Sequence, residues 1–272
     1  MIENNKEYVF TEEDRQRAIK KLLARQLGSS PEHPTVDASK YSVSKEKSQQ
    51  IIDNTLPITW EWLAGFFQAE GCVSADYNRN LPEIIIAQSD PKILDAIESF
   101  IRAELQVKIN RSHQTITSPL VPEEHENWRL YVWSRVNVLP VINKLFPLLY
   151  THKKQQVVEW ATRLNIVLPD EPPPVMNWDF VGGFYDGDGC CSYANVSRMV
   201  NKCIQLNFSQ KDEDILFLIK DFLGKGSVQP HPDASELRVF DGVRTGRALT
   251  WKLLEHIRTL KNREILVETV TL

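Results

Sequence analysis

Two ten-residue stretches repeat each other along this 272-residue chain. Trp62-Leu-Ala-Gly-Phe-Phe-Gln-Ala-Glu-Gly71 is matched by Phe180-Val-Gly-Gly-Phe-Tyr-Asp-Gly-Asp-Gly189, so that Glu70 and Asp188 fall 118 positions apart. The residues downstream of each copy also match. An alternating strand-like run comes first, then an apolar run ending in Gln, Ile84–Gln88 in one half and Ile204–Gln210 in the other. Apolar residues at helical spacing come next: Ile93, Leu94, Ile97, Phe100 and Ile101, against Ile215, Leu216, Ile219 and Phe222. Two further strand-like runs, 106–113 and 127–133 against 226–231 and 236–240, lead to a closing helical pattern over about 136–165 and 247–269. The unit reads αββαββα, twice. Duplication at this length predicts an α/β (α+β) pseudo-dimer of two half-domains rather than a solenoid.

The rest of the chain is punctuated around this repeat. Leu168-Pro-Asp-Glu-Pro-Pro-Pro174 cannot continue a helix and favours an extended, semi-rigid linker. The expected division is an N-terminal helical and loop extension over 1–58, a first half-domain over 59–168, a linker over 169–177 and a second half-domain over 178–272. In the extension, 11–27 has a helical apolar pattern, 28–41 reads as loop and 43–54 as a weaker helix.

The repeated motif makes specific physical demands. Gly65 and Ala69 lie four apart, as do Gly183 and Gly187, so each pair shares one face of its helix. Glycine inside a helix costs about 1 kcal/mol against alanine. Small residues repeated on one face imply that another backbone approaches there, and the two motif helices are expected to pack on each other as the interface between halves. Gly71 and Gly189 suit the position that ends a helix. Glu70 and Asp188 then sit at helix C-termini, the unfavourable end for a carboxylate. If the helices pair, the two acids converge, and like charges so close need a proton or a cation. Hard divalent ions, Mg²⁺ above all, suit such oxygen ligands. A two-carboxylate metal site between half-domains is a phosphodiester-hydrolysis arrangement. An EF-hand reading of Asp186-Gly-Asp-Gly189 fails, because Cys191 stands where the loop needs glycine and Ser197 where it needs glutamate.

The two motifs resemble those of the LAGLIDADG homing endonucleases, specifically the two-motif, single-chain kind, over roughly residues 59–272. The resemblance implies two saddle-shaped antiparallel sheets over DNA, with the motif helices at the interface. It implies that Glu70 and Asp188 bind the catalytic metals, Mg²⁺ or a substitute such as Mn²⁺, with the carbonyls of Ala69 and Gly187 as auxiliary ligands. Gln88 and Gln210 match the glutamine that supports the water network. A basic residue entering the last helix stabilises charge at the scissile phosphate; Lys261 fits in the second half. In the first half the aligned position is His152, and either Lys153 or Lys154 beside it serves, with Lys153 the candidate. Lys92 matches a further basic partner for which the second half has Asp214, a departure expected to make the two strand-cleavage sites unequal or to weaken one of them. Gln68 replaces an earlier, non-catalytic acid that Asp186 retains.

Strand alternation assigns faces. Ser74, Asp76, Asn78 and Asn80 point away from Val73, Ala75 and Tyr77. In the second half Ser192 and Arg198 share the parity of Asp188, and Gln205, Asn207 and Ser209 alternate with Leu206 and Phe208. The polar set matches the face that the resemblance places in the major groove, where Asn, Gln and Arg make bidentate base contacts. Further candidates are Lys108, Asn110, Ser112, Arg129 and Tyr131, then Gln229, His231 and Arg238. A strand of about eight residues spans ~26 Å, roughly eight base pairs, so two sheets would cover a long, asymmetric site.

Composition sets the outer limits. The chain has 32 Lys and Arg against 36 Asp and Glu, a net charge of −4, which excludes a histone-like protein or a polybasic membrane binder. With 42% apolar and 9% aromatic residues it is no disordered chain. No apolar run approaches the ~20 residues of a membrane span, and no apolar segment after Met1 suggests a secretory signal. Cys72, Cys190, Cys191 and Cys203 form no metal-binding pair pattern and read as reduced thiols, consistent with an intracellular compartment, a bacterial cytoplasm or an organelle. The expected activity is Mg²⁺-dependent, site-specific cleavage of double-stranded DNA by a monomer encoded within an intron. The rival readings are an RNA maturase acting on its host intron and a DNA-binding relative with decayed catalysis. A terminal Asn is lacking, which disfavours an intein.

Overall fold

The computed structural model describes residues 56–118, 121–194, 203–241 and 247–271. The extension over 1–55, with its expected helices, and Arg198 lie outside these residues.

Helix α1 (Trp60–Glu70) starts where Thr59 turns back to cap it: Thr59 Oγ1 accepts from Trp62 N at 3.1 Å. Helix α5 (Trp178–Asp188) starts in the same way on Asn177, whose Oδ1 accepts from Phe180 N at 2.9 Å. Each is followed by a hairpin and a helix: β1 (Gly71–Asp76), β2 (Leu81–Gln88) and α2 (Pro91–Leu105) in one half; β5 (Gly189–Ala194), β6 (Cys203–Gln210) and α6 (Glu213–Leu223) in the other. Asp90 and Asp212 cap α2 and α6. A second hairpin completes each sheet, β3 (Asn110–Ser118) with β4 (Val121–Trp133) and β7 (Ser227–Gln229) with β8 (Ser235–Asp241).

The two antiparallel sheets have the same strand order, β1-β2-β4-β3 and β5-β6-β8-β7. Equal topology in both halves is what internal duplication requires. The mixed α/β class and the paired four-stranded sheets agree with the sequence reading, but three details differ. First, β3 starts at Asn110 rather than 106, because α2 ends on Gln106 in a left-handed conformation, φ 53°, after which the chain must re-extend. Second, each half closes with two helices instead of one. α3 (Arg135–Leu145) passes through a 3₁₀ turn at Phe146–Leu148 into α4 (Thr151–Arg163), and α7 (Ala248–Leu254) is followed by α8 (Leu260–Thr271). Pro147 cannot continue the first helix. Third, Gly71 and Gly189 end their helices in extended conformation, φ −84° and −95°, and not in the left-handed one. They are glycines because a Cβ would strike the helix's own ring one turn back, 2.0 Å from Phe67 and 2.3 Å from Tyr185.

One face of each sheet is sealed by helices. Ile84, Ile86, Leu130 and Val132 in the first sheet, and Ile204, Leu206, Phe208, Leu237 and Val239 in the second, are at most 3% exposed. Residues 166–177, including four prolines, form no regular element. Among the described residues no helix is long and apolar enough to cross a membrane.

Candidate active site

Helices α1 and α5 pack face to face at backbone distance. A Cβ added to Gly65 would stand 2.0 Å from Phe180 O, and one added to Gly183 would stand 1.9 Å from Trp62 O. One turn further on, a Cβ on Gly187 would meet Ala69 Cβ at 2.5 Å and Glu70 Cγ at 3.0 Å. The four small residues picked out by the sequence therefore line one seam, and the seam delivers Glu70 and Asp188 side by side at two helix C-termini. Two more bonds cross it: Trp62 Nε1 donates to Asp186 Oδ2 at 3.1 Å, and Thr59 Oγ1 to Asp179 Oδ2 at 3.0 Å.

Each acid has a glutamine. Gln88 Nε2 donates to Glu70 Oε1 at 3.3 Å, and Gln210 Nε2 to Asp188 Oδ2 at 2.8 Å. These glutamines end β2 and β6, strands that run next to the strand leaving each acid, so the pairing follows from sheet order. Burial and then the charge of Asp188 push the Glu70 carboxyl up to about 7, against the opposing pull of Gln88 and Lys153. Burial pushes Asp188 up to about 6, with Lys153 pulling it down. Two carboxyls so placed titrate as a coupled pair and resist being ionised together.

Lys153 is the cation that acts on both. Its Nζ donates to Gly71 O at 2.6 Å, at the C-terminal end of α1 and 5.8 Å from the centre of the Phe67 ring. Burial lowers its pKa, while Cys72, Asp188, Asp212 and Glu70 hold it up. Lys154 turns elsewhere, 4.9 Å over the Phe146 ring. Lys261 is exposed and is not among the groups that shift Asp188. Lys92 is exposed at the start of α2, and Asp214 occupies the first turn of α6.

The last helices of the two halves are anchored in the same way. Gln68 Oε1 accepts from Tyr150 N at 3.2 Å, which sets where α4 begins. Asp186 accepts from Arg258 N at 2.6 Å and Thr259 N at 3.3 Å, which sets where α8 begins. The acid retained in one motif and the amide that replaces it in the other thus do the same capping work. Tyr150 corresponds to Thr259, so Lys153 corresponds to Asn262 and not to Lys261. Asn262 Nδ2 donates to Asp186 Oδ1 at 3.2 Å, where a lysine would bring charge. This is the register the sequence alignment of Lys261 with His152 already implied; sequence reading did miss Asp212, which caps α6 and also accepts from His152 N of α4 at 3.0 Å. The shared seventh position of Gln68 and Asp186 in the ten-residue motif was the available signal for the register. Sequence reading also missed Asp179, which His256 Nδ1 at 2.7 Å and Arg258 Nη2 at 3.0 Å hold well below the usual carboxylate range despite its burial.

The strand registers place the remaining candidates. Opposite the helices, the first sheet presents Ser74, Asp76, Asn110, Ser112, Arg129 and Tyr131, and the second presents Ser192, Gln205, Asn207, Ser209, Gln229 and Arg238. Asn78 and Asn80 lie in the β1–β2 turn. The Asp76 carboxylate is engaged there, accepting from Asn78 N at 3.1 Å and Arg79 N at 3.2 Å. Asn80 Oδ1 accepts from Arg135 Nη2 at 2.8 Å. Lys108 is exposed just before β3, and Asn110 Nδ2 is buried without a hydrogen-bond partner. Gln205 donates to Asn207 Oδ1 at 2.7 Å, and Arg238 pairs with Glu236 at 2.6 Å. His231 lies beyond β7, 3.9 Å from Glu236. Cys72 and Cys190 stand on the same open faces as exposed thiols, while Cys191 turns inward to Thr269 Oγ1 at 3.6 Å. Among the described residues no group of three or more His, Cys, Asp and Glu side chains is placed to hold a metal; the acid centre is a pair.

A pseudo-symmetric pair of four-stranded sheets, joined by two acid-tipped helices, is the architecture of the LAGLIDADG homing endonucleases. Residues 59–137, in the first half, match the family model of the LAGLIDADG-like domain. The fold extends the likeness across the second half. The LAGLIDADG homing endonuclease I-GzeII in complex with its DNA target is 16% identical, with a TM-score of 0.54, covering 79% of this chain and 90% of that one. I-LtrWI bound to target DNA is 15% identical with a TM-score of 0.52, over 82% and 90%. The LAGLIDADG meganuclease I-AabMI bound to uncleaved DNA is 13% identical with a TM-score of 0.50, over 79% and 91%. A search of curated protein sequences returns no significant match.

Proposed function

We propose that this chain is a metal-dependent, site-specific DNA endonuclease that hydrolyses one phosphodiester on each strand of a long asymmetric site. The observation that carries this reading is the convergence of Glu70 and Asp188 at the ends of two helices packed at backbone distance. The donor set fits Mg²⁺ or Mn²⁺. It offers two carboxylates and the carbonyls that end two helices, all hard oxygen ligands. The raised pKa of both acids marks a place where positive charge is wanted. When bound there, a divalent cation supplies charge to offset the phosphate oxygens and to acidify water.

The protein's own groups do the rest. Gln88 and Gln210 fix the rotamer of each carboxylate. Lys153, anchored on Gly71 O, holds a positive charge close enough to act on both acids and to offset charge on a phosphate bound there. The open sheet faces present amide, hydroxyl and guanidinium groups at two-residue spacing, suited to base edges in a major groove. Both half-sites come from one chain, so a monomer suffices. That the solved relatives are complexes with DNA targets supports duplex DNA as the partner.

The test starts with a duplex selected from a randomised library by binding without divalent cation. On addition of Mg²⁺ the wild type is expected to cut both strands, whereas Glu70→Gln and Asp188→Asn bind the duplex but leave it intact. Full cleavage by both variants would remove the acids from the chemistry.

A further inference from the structure

The open faces of both sheets carry an exposed aromatic at the same register. Trp133 on β4 sits directly across from Glu83 on β2, and Phe240 on β8 directly across from Gln205 on β6. Glu83 is five residues before Gln88, and Gln205 five before Gln210, and those glutamines bond the two acids. Trp133 and Phe240 therefore occupy equivalent places in the duplicated architecture. Each is 45% exposed, while the next residue inward, Val132 or Val239, is 3% or 0% exposed. Around them the faces have diverged: Tyr131 corresponds to Arg238, Ala87 to Ser209 and Ile85 to Asn207. Among the exposed large apolar residues, these two stand out because an aromatic ring recurs at equivalent places on faces that have otherwise diverged.

Resting on the endonuclease reading, we propose that Trp133 and Phe240 each read the 5-methyl group of a pyrimidine, thymine by default, in the major groove of the two half-sites. The Phe ring carries no polar group and the Trp ring a single N–H, too little for a bidentate base contact, and the one apolar feature a major groove offers is the thymine methyl. Five strand residues span about 17 Å, so the two methyl groups lie on the order of five base pairs from the scissile phosphates, one on either side of the centre. The contact supplies specificity without charge, which suits a chain whose net charge is −4.

The experiment uses the duplex selected above by binding to the full-length protein without divalent cation. Each thymine is replaced in turn by deoxyuridine, which removes the methyl group and nothing else. Wild-type affinity is expected to fall about fourfold, the worth of one buried methyl, at one thymine per half-site. For Trp133→Ala the effect disappears at the first-half thymine and persists at the other; for Phe240→Ala the reverse holds. Trp133→Phe keeps the effect, and melting temperatures confirm that the variants fold. An unchanged affinity for every deoxyuridine duplex, or a loss that the alanine variants share at the same positions, overturns the proposal while leaving the endonuclease reading intact. Failure to select any duplex brings both down.

Discussion

Replacing Gly183 with alanine tests the seam on which the site depends. The new Cβ would stand 1.9 Å from Trp62 O, 2.8 Å from Trp62 C and 2.9 Å from Phe66 N, all backbone atoms of the opposing helix. Ordinary carbon–oxygen contacts begin near 3.3 Å, so the helices must separate by roughly 1.4 Å. No rotamer change relieves the clash, because neither side is a side chain. A gap of that size forfeits a large part of the dispersion energy along the seam, where Trp62, Phe66, Phe180 and Phe184 are at most 2% exposed. Overpacking costs about 3 kcal/mol at the upper end of its range, and alanine returns about 1 kcal/mol of helix propensity. The net loss of about 2 kcal/mol lowers the melting temperature by about 4–8 °C. Thermal unfolding followed by circular dichroism reads it. A Gly183→Ala melting temperature within about 1 °C of wild type would refute backbone contact between α1 and α5.

Gly187→Ala behaves differently: it meets no opposing backbone atom closer than 3.8 Å, but Ala69 Cβ at 2.5 Å, which moves only with its backbone, and Glu70 Cγ at 3.0 Å, which can rotate away, so DNA cleavage is expected to fall while the melting temperature moves less than for Gly183→Ala. The acid pair makes the metal-free protein sensitive to pH. Glu70 and Asp188 have folded pKa values near 7 and 6 against ordinary values of 4.5 and 3.8, so their contribution to stability is full below the ordinary values and is lost as pH rises through 6 and 7. Melting in chelator should occur at a higher temperature at pH 5 than at pH 8, and the Glu70→Gln, Asp188→Asn double variant should flatten that slope; a slope unchanged by the double variant would contradict the coupling. Because Lys153 has Asn262 as its counterpart, cleavage of a supercoiled plasmid bearing the selected site should pass through an accumulating nicked circle. Lys153→Met should slow hydrolysis about 100-fold or more, and Asn262→Lys should shorten the nicked stage; direct conversion to linear DNA by wild type argues against unequal sites.

The duplication was legible in the residues, because two acid-tipped motifs with glycine at matched positions can satisfy their packing only against each other. Element types came from period: Ile93, Leu94, Ile97 and Ile101 in α2 and the alternation of Gln205, Asn207 and Ser209 in β6 repeat at spacings that backbone geometry imposes locally. Convergence of the acids could also be argued from one chain, since Gly65 and Gly183 are small for a reason that only a close neighbour supplies.

Other features depended on atoms far apart in sequence. The breaks before α4 and α8 are set by Gln68 and Asp186, side chains of the motif helices that accept backbone N–H groups 82 and 73 residues on. No local pattern marks such a cap; in the register it sets, Lys261 falls opposite His152 and the second half has Asn262 where the first has Lys153. The choice between Lys153 and Lys154 was likewise made by the carbonyl of Gly71 and the ring of Phe146. Periodicity specifies which face a residue lies on, but its partner is fixed only when the two halves close.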